Sequence, residues 1–365
     1  MMRRCLAFVV AAAVQLASLG CLALGVWLCA RHFPSVGLLP GVVLLALGAL
    51  TLPRPPALPR EATRLSRAEA PALHDLAGRV SAALGLTRPR VVAVDDRLDA
   101  ASGFDGVLRR RYLRIGAPLW AVLDGHQRIA LLAMELARNG TGDPDRAPVT
   151  GWVDRSLGEL EALLEPQRDE SLRALQDPTL VAAAPTRMGS QVTGTVSPVW
   201  VAELLLFPVV WVVRGVVGLL RRAYVALQRP AAVRALHAAD AAGARLAGSA
   251  AVRDVLAIRA LAPSIATVLR RDARAGDHAG ADAAALRRGP VGPVVAGWPA
   301  LVAQIRAAQP SLVDDDPAAY PPSLARRAAL LADAAGVPAL EVDTSATDGE
   351  LEPIYRRVVR DLRTG

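Results

Sequence analysis

The stretch Arg109–Pro144, RRRYLRIGAPLWAVLDGHQRIALLAMELARNGTGDP, contains the pattern that decides the fold. Its segment Tyr112–Ile115 predicts a short β-strand. From Leu119 to about Arg138, apolar residues then recur at the spacing of one helix face. The run after it, NGTGDP, ends that helix because Gly and Pro both interrupt helical structure. A strand followed by one long helix is therefore the predicted central unit.

The segments before this unit predict a second strand and another helix. Arg60–Leu86 has apolar residues at helical spacing, with Gly85 near its end. Arg90–Val94 predicts a short strand, and Asp95–Gly106 predicts a turn. Together with the central unit, these patterns predict a mainly α fold of the α+β kind with a small sheet.

The segments after the central unit are predicted to be mostly helical. Ala231–Leu256 has an Ala-rich helical pattern, and Arg270–Pro293 is polar and Gly-rich, which predicts a loop. Further helices are predicted from Val294 onward, separated by the segment Asp314–Pro322.

Composition places strongly apolar segments next to an ordinary charged body. Hydrophobic residues make up 53% of the 365 residues, and the mean hydropathy of +0.31 is high for a chain that is 21% charged. The 42 basic residues are all Arg, against 34 acidic residues, so the net charge is +8. The basic residues are not interleaved with aromatics and show no DNA-binding motif, so we expect no nucleic acid partner.

Two apolar runs at the N-terminus predict a transmembrane helical hairpin over residues 1–53. The runs are Cys5–Ala30 and Val36–Leu52, and each is near the roughly 20 residues that a helix needs to cross a bilayer. A secretory signal peptide is the alternative, but its apolar part would be only about 7–15 residues long. The Pro-rich stretch Leu52–Pro59 predicts a stiff linker after the hairpin.

The arginines beside the hairpin predict its orientation. Arg3 and Arg4 precede the first run, and further arginines, Arg54 and Arg60 among them, follow the second. By the positive-inside rule, both ends and hence the main domain are expected in the cytoplasm. The expected partner of the basic surface is the lipid bilayer.

A third apolar segment lies at residues 196–220. Its length fits one membrane crossing, but Glu203 and Arg214 are costly in the middle of a bilayer. A membrane-surface helix or a buried helix fits the same pattern, and the sequence leaves these readings open.

The stretch Arg109–Pro144 resembles the active-site region of HtpX-type membrane zinc metallopeptidases, relatives of the CaaX prenyl protease. Three other stretches resemble segments of that family in the same order: Ala70–Arg90, Arg234–Gly248 and Tyr320–Leu331. The resemblance implies a zincin-like metallopeptidase domain at residues 54–290, with 291–365 as its C-terminal helical part. It also implies an integral protein of a bacterial plasma membrane.

The resemblance also implies where a zinc site would lie. In this family, two His one helical turn apart and a Glu on a later helix bind zinc, and a Glu beside the first His is the general base. The ligand positions here are Met134, Arg138 and Leu236, so all three ligands are missing. Glu135 remains at the general-base position, and Asp240 remains at a position that supports the ligands.

The missing ligands predict an inactive peptidase that needs no cofactor. The permanent cation of Arg138 lies where the charge of the metal would be. One hypothesis is that Arg138 pairs with Glu135 or Asp240 and replaces the zinc; the other is that it points to solvent at a helix end. A makeshift metal set of Glu135, Asp240, His237 and His126 is a further alternative, although His237 is one position out of register.

Three functions follow from these alternatives. The first is a pseudo-protease whose cleft binds a peptide or a membrane-protein partner. The second is an active zinc endopeptidase with unorthodox metal ligands, the only case in which zinc is expected. The third is a non-catalytic membrane scaffold.

Overall fold

The computed structural model describes residues 2–32, 38–51, 58–59, 61–106, 109–141, 143, 153, 156–158, 161, 198–278, 292–308, 322–331 and 338–364. Contacts group the chain into two compact units. Unit 1 consists of Met1–Arg54 with Pro148–Gln228, and unit 2 consists of Pro55–Ala147 with Arg229–Gly365. The chain is mainly helical with one small mixed sheet, which confirms the predicted fold class at that level.

The two N-terminal apolar runs form helices α1 (Met2–His32) and α2 (Leu38–Thr51) of unit 1. The helices pack closely through glycines, because a Cβ added to Gly25 would lie 2.8 Å from Leu45. The same holds at Gly48, where the added atom would lie 2.7 Å from a carbon of Leu22. The two N-terminal helices that the sequence predicts are therefore present and pack against each other.

Among the residues that the structure describes, no helix is both long enough and apolar enough to cross a membrane.

The sheet of unit 2 has four strands in the order β1-β2-β4-β3. Strands β2 and β4 are parallel, and the other two pairings are antiparallel. The strands are β1 (Thr63–Leu65), β2 (Val91–Asp95), β3 (Ala100–Asp105) and β4 (Arg110–Gly116). The two predicted strands correspond to β2 and β4, whereas β3 lies where a turn was predicted.

The predicted helix over Arg60–Leu86 is shorter than its pattern suggests. Helix α3 covers only Pro71–Ala83, because β1 pairs with β2 and takes the preceding residues into the sheet. Proline at the first helical position fits the start, since its fixed φ is already helical. Gly85 has φ +68°, a left-handed conformation that ends the helix as expected.

The predicted single helix from Leu119 to Arg138 is two helices, α4 (Ala117–Val122) and α5 (Gly125–Gly140). Leu123 is extended between them, and Asp124 accepts a hydrogen bond from the backbone N–H of Gln127. The side chain of Gln127 accepts one from the backbone of Asp124 in return, which completes a capping box. The capping box therefore marks the start of a second helix within the continuous apolar pattern.

The third apolar segment forms the first half of a 50-residue helix, α6 (Pro198–Ala247). The predicted helix Ala231–Leu256 is divided at Gly248, where φ is +88°, and α7 (Ser249–Ala260) begins after it. The predicted loop at Arg270–Pro293 is wrong at its start, because α8 (Ala262–His278) continues into it. Residues 279–291 and most of the segment Asp314–Pro322 lie outside the described residues.

The remaining described helices complete unit 2. They are α9 (Gly292–Ala308), α10 (Leu324–Ala329) and α11 (Ser345–Thr364). The start of α11 is tied to α5 by Arg128, whose guanidinium donates to both carboxylate oxygens of Asp348 at 2.9 and 2.8 Å. The indole N–H of Trp120 also donates to the hydroxyl of Thr347 at 3.2 Å.

Helix α5 lies at the centre of the unit 2 core. Its residues 127 to 137 are all buried, so the helix has no solvent face over three turns. The core around it contains fully buried side chains of the sheet and of α4, such as Leu113, Ile115 and Trp120. Polar groups on this part of α5 must therefore find partners inside the protein.

Helix α6 crosses α5 at very short range. A Cβ added to Gly243 would lie 2.7 Å from Cγ of Met134 and 3.1 Å from Val252. One turn further along α5, Ala137 clusters with Ala239 and Ala242 of α6. The two helices therefore run antiparallel at their contact, and small residues allow the approach.

This contact predicts that Gly243→Val is destabilising. The added methyl groups would overpack the α5–α6 contact, so we expect the free energy of unfolding to fall by about 2 kcal/mol. Gly297→Val is the matched control, because a Cβ at Gly297 in α9 meets no atom within 4 Å. We expect that control to change stability by less than about 0.5 kcal/mol. Equal losses in urea unfolding of the two variants would contradict the close approach.

Candidate functional site

The candidate site is built around Glu135, at the predicted general-base position of α5. Its side chain is only 2% exposed. A carboxylate that is removed from water is stable only when another charge or several hydrogen bonds compensate it. The surroundings of Glu135 therefore decide what this position can do.

The carboxylate of Glu135 is bound by an arginine of α7. Nη1 of Arg259 donates to Oε1 of Glu135 at 2.9 Å, and Nη2 of Arg259 donates to Asp99 at 2.5 Å. Burial alone would lower the pKa of the Arg259 guanidinium, but the two carboxylates hold that pKa above its ordinary value. Arg259 thus stays charged and joins α7 to α5 and to the turn before β3.

The same ion-pair network continues into the sheet. Arg114 of β4 lies 3.5 Å from Asp99 and 2.6 Å from Asp95, measured from guanidinium nitrogen to carboxylate oxygen. Burial raises the pKa of the Asp95 carboxyl above its ordinary value, and the attraction of Arg114 offsets only part of this rise. Alternating charges therefore connect Glu135 to Asp95 at the end of β2.

The main chain at Glu135 is also held in place. The hydroxyl of Ser102 in β3 donates to the carbonyl oxygen of Glu135 at 2.5 Å, and the side chain of Asn139 donates to that hydroxyl at 2.9 Å. These bonds fix the edge strand β3 against α5, next to the candidate general base.

Asp240 of α6 is paired with a different arginine. Arg327 of α10 donates to both carboxylate oxygens of Asp240, from Nε at 2.8 Å and from Nη2 at 2.5 Å. Both side chains are at least 90% buried. Two parallel bonds between a guanidinium and a carboxylate form one of the strongest polar contacts in proteins. Each retained acid of the predicted site is therefore neutralised by an arginine that the sequence interpretation did not single out.

Arg138 has a third role that neither sequence hypothesis named. Its guanidinium pairs with Asp143 just beyond α5, with nitrogen–oxygen distances of 3.0 and 2.8 Å. The side chain of Arg138 is 24% exposed, whereas that of Asp143 is 1% exposed. In this position Arg138 compensates a buried acid at the C-terminal end of the helix, where a cation is also favoured by the helix dipole.

The other two ligand positions hold buried apolar side chains. Met134 is 1% exposed and lies against Gly243. Leu236 is 8% exposed and lies one helical turn before Asp240, on the same face of α6. A thioether and a hydrocarbon in these places favour packing between helices over metal binding.

The structure does not assemble the makeshift metal set. His126 lines a cavity of about 500 Å³ at the N-terminus of α5, together with residues of α7 such as Ser249 and Asp254. His237 has its Nε2 buried, with no hydrogen-bond partner among the described residues. Within the described ranges, no group of three or more His, Cys, Asp and Glu side chains is arranged to hold a metal ion.

Comparisons with known proteins return no match: no family model, no curated protein and no solved structure matches this chain. The resemblance to HtpX-type metallopeptidases therefore stays a prediction from the sequence.

Sequence reasoning missed Arg259, Asp99 and Arg327. A signal was present for Arg259, because it lies between the buried residues Ile258 and Leu261 in the apolar second half of α7. An isolated arginine in such a setting requires a buried acid as partner. The distances along the chain, 124 residues to Glu135 and 160 to Asp99, explain why the partners could not be named.

The Glu135–Arg259 pair predicts an unusual order of stabilities. Arg259→Met removes the guanidinium that lies 2.9 Å from the buried carboxylate of Glu135, so we expect the free energy of unfolding to fall by about 3 kcal/mol or more. The double variant E135Q/R259M removes the carboxylate charge as well, and we expect it to be more stable than R259M alone. Urea unfolding followed by circular dichroism measures both values.

The matched control is Arg253→Met, an exposed arginine on the same helix α7. We expect it to change stability by less than about 0.5 kcal/mol. If the double variant were less stable than R259M, the pairing would not be the origin of the loss.

Proposed function

We propose that this protein is a membrane-attached, catalytically inactive relative of zinc metallopeptidases that binds a peptide or a protein partner. In this proposal, the zincin-like domain comprises the sheet with α5 and α6. Arginines bind the two retained acids, Glu135 and Asp240, and the domain binds its partner without catalysing a reaction. It remains on the cytoplasmic side of a bacterial plasma membrane.

The single observation that carries the proposal is the state of Glu135. A general base must accept a proton from water, and a carboxylate already bound at 2.9 Å by a guanidinium is a poorer acceptor. The replaced ligands at Met134, Arg138 and Leu236 support the same conclusion, because none of these side chains is suited to zinc. Asp240 is occupied by Arg327 in a similar way.

The edge strand β3 supports a role in binding an extended segment. It ends the strand order of the sheet and lies against α5 at Glu135 through Ser102. An extended peptide can add a strand to such an edge and bond to its main chain. Since Gly116 N–H donates to the carbonyl of Asp99, the alternation of antiparallel bonding directs the main-chain groups of Ala100, Ser102 and Phe104 away from β4. Ala100 and Ser102 are buried, so Phe104 is the residue of these three that a peptide can reach.

A second candidate function is a non-catalytic membrane scaffold without a cleft. It is favoured by the tight packing of Met134 against Gly243, which fills part of the contact between α5 and α6. In that case, unit 2 would act through its outer surface.

The exposed apolar surface of unit 1 favours the lipid bilayer as a partner. Among the described residues, the exposed large hydrophobic side chains lie in unit 1 with a single exception, Leu330 of unit 2. On α1 the exposed fractions reach 68% at Leu16 and 54% at Trp27. Arg31 lies 5.5 Å from the ring of Trp27, and this pairing of aromatic and cation at the end of an apolar helix is typical of membrane interfaces.

The inactive state can be tested by metal content and proteolysis. We expect the purified wild-type chain to retain no zinc and to leave casein intact. The variant M134H/R138H/L236E restores the three ligands and is expected to retain zinc. It is still expected not to cleave casein, because Arg259 keeps its contact with Glu135.

The control for zinc binding is M134H/R138H, which lacks the third ligand and should retain much less metal after dialysis. Zinc together with casein cleavage in the wild type would establish the active peptidase instead. A three-ligand variant that folds but retains no zinc would show that these positions do not meet.

Membrane attachment predicts resistance to alkaline carbonate. We expect the wild-type chain to stay in the membrane pellet, because its exposed apolar side chains are covered by lipid. The variant L16N/L19N should increase the fraction released, whereas L330N on unit 2 should leave it unchanged. Full release of the wild type into the supernatant would contradict the attachment.

A further inference from the structure

Five arginines lie together at the end of the sheet where β2 and β4 begin. We call them the arginine patch, and they are Arg88, Arg90, Arg109, Arg110 and Arg111. The backbone N–H of Arg90 donates to the carbonyl of Arg111 at 2.8 Å, so the two segments that carry the patch lie side by side. Nη1 of Arg111 also donates to the carbonyl of Thr87 at 3.4 Å. The patch is separate from the candidate site around Glu135.

The arginine patch lacks compensating acids. Within the described part of the chain, none of its five guanidinium groups forms an ion pair with a carboxylate. Asp105 is in register with Arg110 across β3 and β4, but its two carboxylate oxygens are bound by Arg64 at 3.1 Å and by the backbone N–H of Leu58 at 3.0 Å. Cations held this close repel one another, so a bound anion stabilises this end of the sheet.

The ring of Phe104, near the end of β3, holds two of these cations. The guanidinium carbons of Arg109 and Arg111 lie 4.4 and 5.9 Å from the centre of that ring. Arg109 has φ +49°, and it is the single non-glycine residue with a positive φ among those that the structure describes. This conformation costs free energy in a residue with a Cβ, and here it accompanies the contact with Phe104. Positive charge is therefore concentrated beside the edge strand.

Phe104 is also the residue at which a peptide can reach the edge of the sheet. Its main-chain groups point away from β4, and it is partly exposed. In an extended segment that pairs with Phe104, side chains on one face recur about every 7 Å. Alternate side chains of that segment therefore pass close to Arg109 and Arg110.

We propose that this end of the sheet binds an acidic extended segment of a protein partner. Phe104 bonds to the main chain of the segment, and the arginine patch binds its Asp and Glu side chains. Arginine suits this role because its planar guanidinium donates two parallel hydrogen bonds to a carboxylate. The inference rests on the proposed peptide-binding function, and it adds the chemistry of the partner, which the strand edge alone does not specify.

Two features favour a peptide over other polyanions. Among the described residues of unit 2, Leu330 is the single exposed large hydrophobic side chain, so the patch lacks the apolar anchor of a membrane-surface segment. The ring of Phe104 already carries two guanidinium groups and is not free to stack on a nucleobase. An acidic peptide needs neither contact, and its backbone supplies partners for the main chain of Phe104.

The test measures the binding of short labelled peptides to the full chain in uncharged detergent micelles. The peptides alternate threonine with glutamate, with glutamine or with lysine, and fluorescence anisotropy gives their affinities. We expect the glutamate peptide to bind about tenfold more tightly than the glutamine peptide, and the lysine peptide to bind most weakly. High salt should reduce this preference, because exposed charges are screened. Methylation of the backbone nitrogens of the glutamate peptide should weaken it about fivefold, since a main-chain hydrogen bond is lost.

Variants of the arginine patch test which residues select the acid. R90Q/R110Q should weaken the glutamate peptide about fivefold, because two exposed ion pairs are lost. R90E/R110E should instead prefer the lysine peptide, a reversal that unfolding does not produce. The matched control is R234Q/R245Q, which removes two exposed arginines of α6 from the same unit and lowers the net charge as much as R90Q/R110Q does. It should bind the glutamate peptide like the wild type.

Three results would overturn the site: equal affinity for the glutamate and glutamine peptides, equal weakening by the control, or unchanged binding of the methylated peptide. Vesicles of phosphatidylglycerol test the membrane as the alternative occupant. If R90Q/R110Q weakened vesicle binding and left the glutamate peptide unaffected, the arginine patch would belong to a membrane surface instead.

Failure of this inference and failure of the proposed function give different results. Mass spectrometry of the recovered peptide shows whether it was cut. A glutamate peptide that is preferred but cleaved refutes the inactive state and leaves the acidic site in place. An intact peptide that binds without preference for glutamate refutes the acidic site alone.

Discussion

The buried pairing of Glu135 with Arg259 is the interaction on which the rest of unit 2 depends. Helix α5 has eleven consecutive buried residues, and its charges cannot be compensated by water. Arg259 therefore has to reach α5 from α7, and this requirement fixes how α7 packs against α5. The same guanidinium bonds to Asp99, so the turn before β3 is fixed as well. One cation determines the relative positions of two helices and one sheet edge.

The sequence predicted the elements whose signals are local. The strands β2 and β4, the C-terminal end of α3 at Gly85 and the two N-terminal helices all follow from apolar patterns and glycine. It did not predict β3, because Ala100–Asp105 contains small and polar residues that resemble a turn. Their strand conformation comes from pairing with β4, which a local pattern does not show. The break between α4 and α5 was encoded locally by the capping box, but the apolar spacing on both sides concealed it.

The sequence singled out Glu135 and Asp240 but did not predict the residues that bind them. Glu135 and Asp240 are both buried and both paired, as a pair of retained acids requires. Their partners, Arg259 and Arg327, are 124 and 87 residues away in the sequence. Arginine is the only basic residue type apart from His in this chain, so its occurrence at any one position carries little information. Only the fold shows which arginines face inward.

The bonds from Arg128 to Asp348 and from Trp120 to Thr347 have a consequence for the order of events during synthesis. They join residues more than 200 positions apart, at the start of α5 and the start of α11. Helix α5 leaves the ribosome well before α11 does, so these partners cannot yet meet. Contacts of such high sequence separation form late and slow the folding of a domain. Unit 2 therefore completes its core only once α11 has left the ribosome, and until then the guanidinium of Arg128 lacks the carboxylate of Asp348.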